Sequence, residues 1–302
     1  MIQDISAGMM RLHDKLQCPV TGVPLKLNAD GSWLRTESTQ YGKSEGVWQL
    51  LPQNQLSNYY AHYEKDAEVF DYFEATENPA TIHEHRRLQE SIIRQIPKIS
   101  GAVLDVGCGN GWLAAYLIQH RPNVEVCSMD LSTSNTTNTR KRVRSERHLV
   151  IRADALHLPF KDESFDVLVA SEILEHVEQV PAFLKELYRV LKPAGRLIMT
   201  TPYNEVIQYS LCIHCNRKTP LHAHLHSVNE QFILNQVILS GINGKVSTHP
   251  FLNKLLVMLK THVVLKFLPY RWWKGLDWLA NKAIGHQSRL LIVIDKLPLK
   301  SF

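Results

Sequence analysis

Residues 103–111 read VLDVGCGNG, and this stretch constrains the fold more than any other. An apolar run leads straight into Gly107, Gly109 and Gly111, and residues 112–119 (WLAAYLIQ) then have helical character. A strand that turns on alternate glycines into a helix can lay bare backbone amides against a ligand at the helix N-terminus. Dinucleotide sites favour G-x-G-x-x-G. Here the spacing is G-x-G-x-G, with Asp105 two residues upstream.

Downstream, strands and helices alternate. Apolar, strand-like runs at 102–106, 124–129, 149–151, 167–170 and 196–201 are interleaved with helical stretches such as 112–119 and 181–191, and 289–295 (RLLIVID) reads as one more buried strand. That rhythm predicts a parallel sheet covered on both faces. Ligands of open α/β sheets bind outside the carboxyl ends of the strands, and carboxylates close the first four runs. Asp130 closes the second, where it can accept from both ribose hydroxyls. Asp154 closes the third, placed for an exocyclic adenine amine. Asp105 closes the first, near the amino group of a bound amino-acid moiety, and Glu172 the fourth. Aspartate is also common at strand ends and helix caps, so the ordered set, rather than any single member, points to a nucleoside-type ligand.

Residues 100–203 resemble the core of class I S-adenosylmethionine-dependent methyltransferases, in particular the branch with the ubiquinone and menaquinone biosynthesis C-methyltransferases. The matching stretches are VLDVGCGNG, the acid in VCSMD, ADALHLPFKDESFDVLVASEILEHV and LKELYRVLKPAGRLIMTTP. The resemblance implies an α/β fold: a Rossmann-like, seven-stranded, mostly parallel sheet with an antiparallel last strand. It implies S-adenosyl-L-methionine as cofactor, with Gly107, Gly109 and Gly111 around its methionine portion and Asp130 on the ribose. Leu131 would pack on the adenine ring, Asp154 and the backbone of Ala155 would read the adenine, and Glu172 would border the methyl-transfer site. The aromatic stretch from Tyr63 to Tyr72 resembles the family's N-terminal lid. Transfer from a sulfonium depends mainly on holding methyl and acceptor in line. A base is needed only where the acceptor must lose a proton; His176, in SEILEHV, is the candidate, with simple packing as its alternative role.

Residues 211–230 read LCIHCNRKTPLHAHLHSVNE. The C-x-x-C pair Cys212 and Cys215 has the spacing at which two thiolates chelate a tetrahedral zinc. His224 and His226 are the preferred partners, with His222 as substitute, and some bacterial methyltransferases of this branch carry a similar insert after the fifth strand. Upstream, residues 12–52 are rich in turn formers and read as a small β-meander. Residues 16–52 resemble a Trm112-like, zinc-ribbon-related module in which the expected second cysteine is Thr21, so no metal is expected there. The domain reading is 1–56 for this module and 57–302 for the methyltransferase domain, with an insert at 204–230 and a Lys/Trp-rich segment at 251–284.

The chain has 302 residues, with 44% hydrophobic and 21% charged residues, as a globular protein with a real core requires. Its five cysteines do not suit a secreted disulfide framework, the first residues lack a secretory apolar run, and Lys254, Lys260, His262 and Lys266 interrupt the nearest membrane-span candidate. A cytoplasmic location is expected. The net charge of +5 decides no partner. A basic run from Arg140 to Arg147 reads as a solvated helix face, and Trp272, Trp273 and Trp278 as core packing, with peripheral membrane contact as the alternative. The expected activity is methyl transfer to a small-molecule, lipid or glycan acceptor. RNA is the second acceptor class, weakened by the lack of an aromatic-basic strip, and a non-catalytic binder with the same fold is the third reading.

Overall fold

The structure is a computed structural model, and it describes residues 12–52, 61, 64–65, 69, 78–212 and 216–298. The turn-rich N-terminal stretch forms the expected meander: β1 (Lys26–Leu27), β2 (Trp33–Arg35), β3 (Gln40–Ser44) and β4 (Val47–Gln49), each antiparallel to the next. Helix α1 (Pro79–Gln95) starts where proline needs no amide partner, with the Asn78 side chain accepting from Ala80 N at 3.0 Å. The aromatics Tyr63, Phe70 and Tyr72, on which a lid was expected, lie outside the described residues.

The alternating part follows in order: β5 (Gly101–Val106), α2 (Trp112–His120), β6 (Val124–Asp130), α3 (Thr133–Arg142), β7 (His148–Arg152), β8 (Phe165–Ser171), α4 (Val180–Val190) and β9 (Leu191–Pro202). A hairpin of β10 (Tyr209–Leu211) and β11 (Lys218–Pro220) sits inside the Cys/His insert. The chain ends with α5 (Glu230–Ser240), β12 (Gly244–Asn253), the short α6 (Lys254–Met258) and α7 (His262–Leu265), α8 (Tyr270–Ala283), and β13 (Gln287–Lys296).

The main sheet has the order β1-β2-β3-β4-β7-β6-β5-β8-β9-β13-β12. Its seven strands from β7 to β12 are the Rossmann-like sheet that was expected: β7, β6, β5, β8 and β9 run parallel, and β13, the last in the chain, is antiparallel to both β9 and β12. The central strands are largely apolar because both faces are covered; Val103, Leu104, Val167, Leu168, Leu197 and Ile198 are fully buried. The meander extends this sheet. β4 pairs in parallel with β7, Trp48 opposite Ile151, and Leu34, Trp48 and Leu50 share a core with Phe160 and Ile151.

β12 is the strand that the sequence did not disclose. It is an edge strand, half exposed over most of its length and carrying Pro250, a residue that sheets tolerate at an edge. Residues 251–253, taken as the start of an insertion, are its buried end. Past it, α8 turns Trp273 inward at 1% exposed but leaves Trp272 and Trp278 at 73% and 58%. Core packing therefore holds for one tryptophan and fails for two, because the inward stripe of α8 is already supplied by Trp273 and Asp277. In the basic run, Arg147 is half buried and donates to the carbonyls of Ile118, Arg121 and Val124 around the end of α2, so it closes a helix terminus where a solvated helix face was expected.

Arg87 fastens α1 to this C-terminal part. Its fully buried guanidinium donates to Leu265 O at 2.7 Å, Leu268 O at 2.9 Å and Glu90 Oε2 at 2.7 Å, and it lies 5.0 Å from the Trp273 ring. Removing it strands two buried carbonyls, so Arg87→Ala is expected to destabilise the fold by about 3 kcal/mol, checked by the urea midpoint.

Candidate functional site

Gly107, Gly109 and Gly111 all have positive φ, at 69°, 47° and 68°. A Cβ on Gly107 would stand 2.1 Å from Ile173 Cδ1, and one on Gly111 would stand 2.8 Å from Thr139 Cγ2, whereas one on Gly109 would meet nothing within 4 Å. The outer two glycines are thus required by close packing. The middle one faces open space beside its own amide.

Asp130 organises this turn. Its Oδ2 accepts from Gly109 N at 3.1 Å and from Asn135 Nδ2 at 3.3 Å, and its Oδ1 accepts from Ser132 N at 3.0 Å. Burial pushes the Asp130 carboxyl above its ordinary range. Asp154 accepts from Leu156 N at 2.9 Å and faces His157 Nδ1 at 3.2 Å, and so shapes the loop that presents Ala155 and Leu156. Leu131 is held by its own carbonyl, which accepts from Arg152 Nε at 2.8 Å. Arg152 also meets Glu64 at 3.2 Å, and Glu64 takes the Thr133 amide at 2.9 Å. Glu64 thereby reaches the rim from a distant part of the chain.

Asp105 is 5% exposed, and its Oδ2 is buried without a hydrogen-bond partner. Burial, and then the Asp130 charge, raise its carboxyl to about 7. Below about pH 4 the group is protonated in folded and unfolded chains alike. Between that point and pH 7 the unfolded chain sheds this proton and the folded chain keeps it, so stability falls as pH rises, by on the order of 4 kcal/mol in total. Asp105→Asn is expected to match the parent at pH 4 and to exceed it at pH 8 in urea midpoint.

These groups surround one cleft of about 580 Å³, partly open to solvent, lined by Gly107, Asp130, Leu131, Asp154, Ala155 and His176 among others. Of the expected cofactor residues, Gly107, Asp130, Leu131, Asp154 and Ala155 line it directly, while Gly109 joins it through Asp130. Asp105 lies behind the turn and Gly111 at the start of α2. Ile173, Met129, Leu156 and Val177 complete the apolar walls; they carry no signal beyond hydrophobicity and could not have been singled out. The open space at Gly109, the orphaned Asp105 oxygen and the apolar slot between Leu131 and Ala155 fit an amino-acid-bearing adenosine compound. Glu172 stands apart at the end of β8. Its φ is +57°, its Oε2 meets Arg289 Nε at 2.8 Å, and its Oε1 is buried without a partner. Strain and an unsatisfied oxygen on one residue are features that functional sites retain.

His176 lies in the short 3-10 turn Leu174–His176. The Cys/His insert packs against this turn: His176 Nδ1 lies 3.3 Å from Ala223 O, Leu225 N donates to Glu175 O at 2.7 Å, and His226 Nε2 lies 2.8 Å from Val177 O. The insert thus holds the turn that carries His176 at the edge of the cleft. The expected zinc set is described only in part, because Cys215 lies outside the described residues. His226 turns to the Val177 carbonyl and the Phe232 ring, and His224 Nδ1 faces Glu205 Oε2. Among the described residues, Glu175, His176 and His224 converge, one ligand atom from each within 4.8 Å of the others.

Residues 104–199 match the family model of the methyltransferase domain. The S-adenosylmethionine dependent methyltransferase from Mesorhizobium loti shares the fold, at a TM-score of 0.51 and 18% identity over 71% of this chain and 100% of that one. The chain carries a methyltransferase domain. Within the curated proteins, this domain is similar to the ubiquinone/menaquinone biosynthesis C-methyltransferase of Dinoroseobacter shibae, at 36% identity over 34% of this chain and 43% of that protein. It is also similar to the phthiotriol/phenolphthiotriol dimycocerosates methyltransferase of Mycobacterium leprae, at 30% identity over 49% and 55%. The chain spans about half the length of these two relatives.

Proposed function

We propose that the whole protein is an S-adenosylmethionine-dependent methyltransferase that acts on a small-molecule, lipid or glycan acceptor in the cytoplasm. The observation that carries this reading is that Gly107 of the glycine turn, Asp130 and Asp154 line a single cleft at the carboxyl ends of β5, β6 and β7, with Gly109 N bonded to Asp130. The relatives' names, a quinone enzyme and a phthiotriol enzyme, favour a lipid-like or small acceptor over RNA. The ubiquinone/menaquinone-like branch and the Trm112-like kinship of residues 16–52 rest on the motifs quoted above.

When bound, S-adenosylmethionine supplies an electrophilic methyl group, so the protein's work is orientation. Asp130 would take the ribose hydroxyls, Leu131 and Ala155 would enclose the adenine with Asp154 on its amine, and Asp105 would answer the ammonium through the glycine turn. His176, its ring fixed by the Ala223 carbonyl, would take a proton from an acceptor hydroxyl or enol. A bound zinc has two candidate donor sets: Cys212, Cys215, His224 and His226, or a revised set of Glu175, His176 and His224. The revised one would occupy the His176 nitrogen and so replace its role as base. Zinc analysis of untagged protein and its Cys212→Ser variant separates the two sets: the revised one keeps zinc in the variant, and the thiolate one loses it.

The deciding experiment incubates the full chain with radiolabelled S-adenosylmethionine and either total RNA or a lipid and metabolite extract. Label in the extract is the expected result. Label in RNA would replace the acceptor class, and an absence of cofactor binding by calorimetry would overturn the reading as a whole.

A further inference from the structure

The helices between β12 and β13 have two apolar faces, and only one of them is used. Inward, Leu265 and Trp273 are buried, the Asp277 carboxylate accepts from the Leu252 and Asn253 amides at 3.3 and 2.8 Å, and Arg87 holds the Leu265 and Leu268 carbonyls. The segment is therefore built into the fold. Outward, Met258, Val264, Phe267, Trp272, Trp278 and Leu279 are each more than half exposed. A soluble surface seldom gathers that much apolar area without a partner.

The charges on the same segment identify the partner. Lys254, Lys260, Lys266, Arg271 and Lys282 are all exposed, while the one acid between residues 254 and 286, Asp277, is buried. Lys266 and Lys282 lie 5.0 and 5.3 Å from the Phe267 and Trp278 rings, so cation and apolar body share one surface. Tryptophan with lysine suits the boundary between acyl chains and headgroups, where the ring lies in the interface and the ammonium reaches up to phosphate. A second copy of the chain would set five like charges against five, which interfaces avoid. No described helix is long and apolar enough to cross a membrane, which leaves contact in the plane of the interface.

We propose that α6–α8 form a docking surface for an anionic lipid bilayer, with Phe267, Trp272 and Trp278 inserted among the headgroups and Lys260, Lys266 and Arg271 pairing with lipid phosphates. The contact needs no methyl donor, so its test stands apart from that of the enzymatic reading.

The full chain is sedimented with vesicles of phosphatidylcholine alone and of phosphatidylcholine mixed with phosphatidylglycerol. Binding to the mixed vesicles, weakened by salt, is expected. Joint replacement Lys260→Glu, Lys266→Glu and Arg271→Glu is expected to cut it by roughly 100-fold, and Trp272→Ala with Trp278→Ala by about 10-fold or more. Both variants should keep the parent's circular dichroism and cofactor affinity, since all five side chains face outward. Equal binding to both vesicle types, or unaltered binding by the folded variants, would overturn the proposal. So would failure to bind vesicles accompanied by concentration-dependent dimerisation, which would give the face to a second copy.

Discussion

Asp130→Ala is expected to weaken S-adenosylmethionine binding by about 100-fold or more, read by calorimetry on the purified protein. Two charge-assisted hydrogen bonds to ribose hydroxyls are lost, each contributing about 1.5 to 3 kcal/mol. The same carboxylate accepts from Gly109 N, Ser132 N and Asn135 in the ligand-free protein, so its removal also loosens the turn on which the methionine portion rests. Asp130→Asn separates the two effects. It keeps one oxygen for the Gly109 amide and should fall between parent and alanine variant. An affinity unchanged in both variants would remove the ribose from this carboxylate.

Gly107→Ala should lower stability by about 3 kcal/mol, roughly 5 to 10 °C in the thermal midpoint. The cost has two sources: an alanine at φ +69°, and a methyl 2.1 Å from the Ile173 side chain that walls the cleft. Gly109→Ala is the informative contrast. At φ +47°, with nothing within 4 Å of the new methyl, it should cost the fold only about 1 kcal/mol. Yet the methyl occupies the space through which a ligand reaches the backbone amides, so cofactor affinity should drop by about 10-fold or more. Should the folded Gly109→Ala protein bind S-adenosylmethionine as tightly as the parent, the glycine turn is not its seat.

The particular residues show where sequence was a sufficient guide. The strand runs around Val103, Val126, Leu168 and Leu197 were readable because strands buried on both faces must be apolar throughout. The turn at Gly107 and the acids at Asp130 and Asp154 were readable because backbone conformation and ligand chemistry admit few residue types there. β12 was not, because an edge strand answers to solvent on one side and can carry Lys245, His249 and Pro250 without any periodic signature. The directions of the insert's histidines were hidden for a related reason. Spacing grouped Cys212, Cys215, His224 and His226, but imidazole directions depend on which carbonyls a loop meets, and His226 meets Val177.

By itself the sequence determined the α/β alternation, the glycine turn and the order of the acids, since these follow from local backbone preference and from burial along single strands. Only the tertiary structure decided that the meander completes the main sheet, that the insert packs against the turn carrying His176, that Glu64 reaches the cleft's rim, and that two tryptophans face outward. Each of those depends on contacts between segments far apart in the chain, where many pairings satisfy the same local pattern and packing selects one.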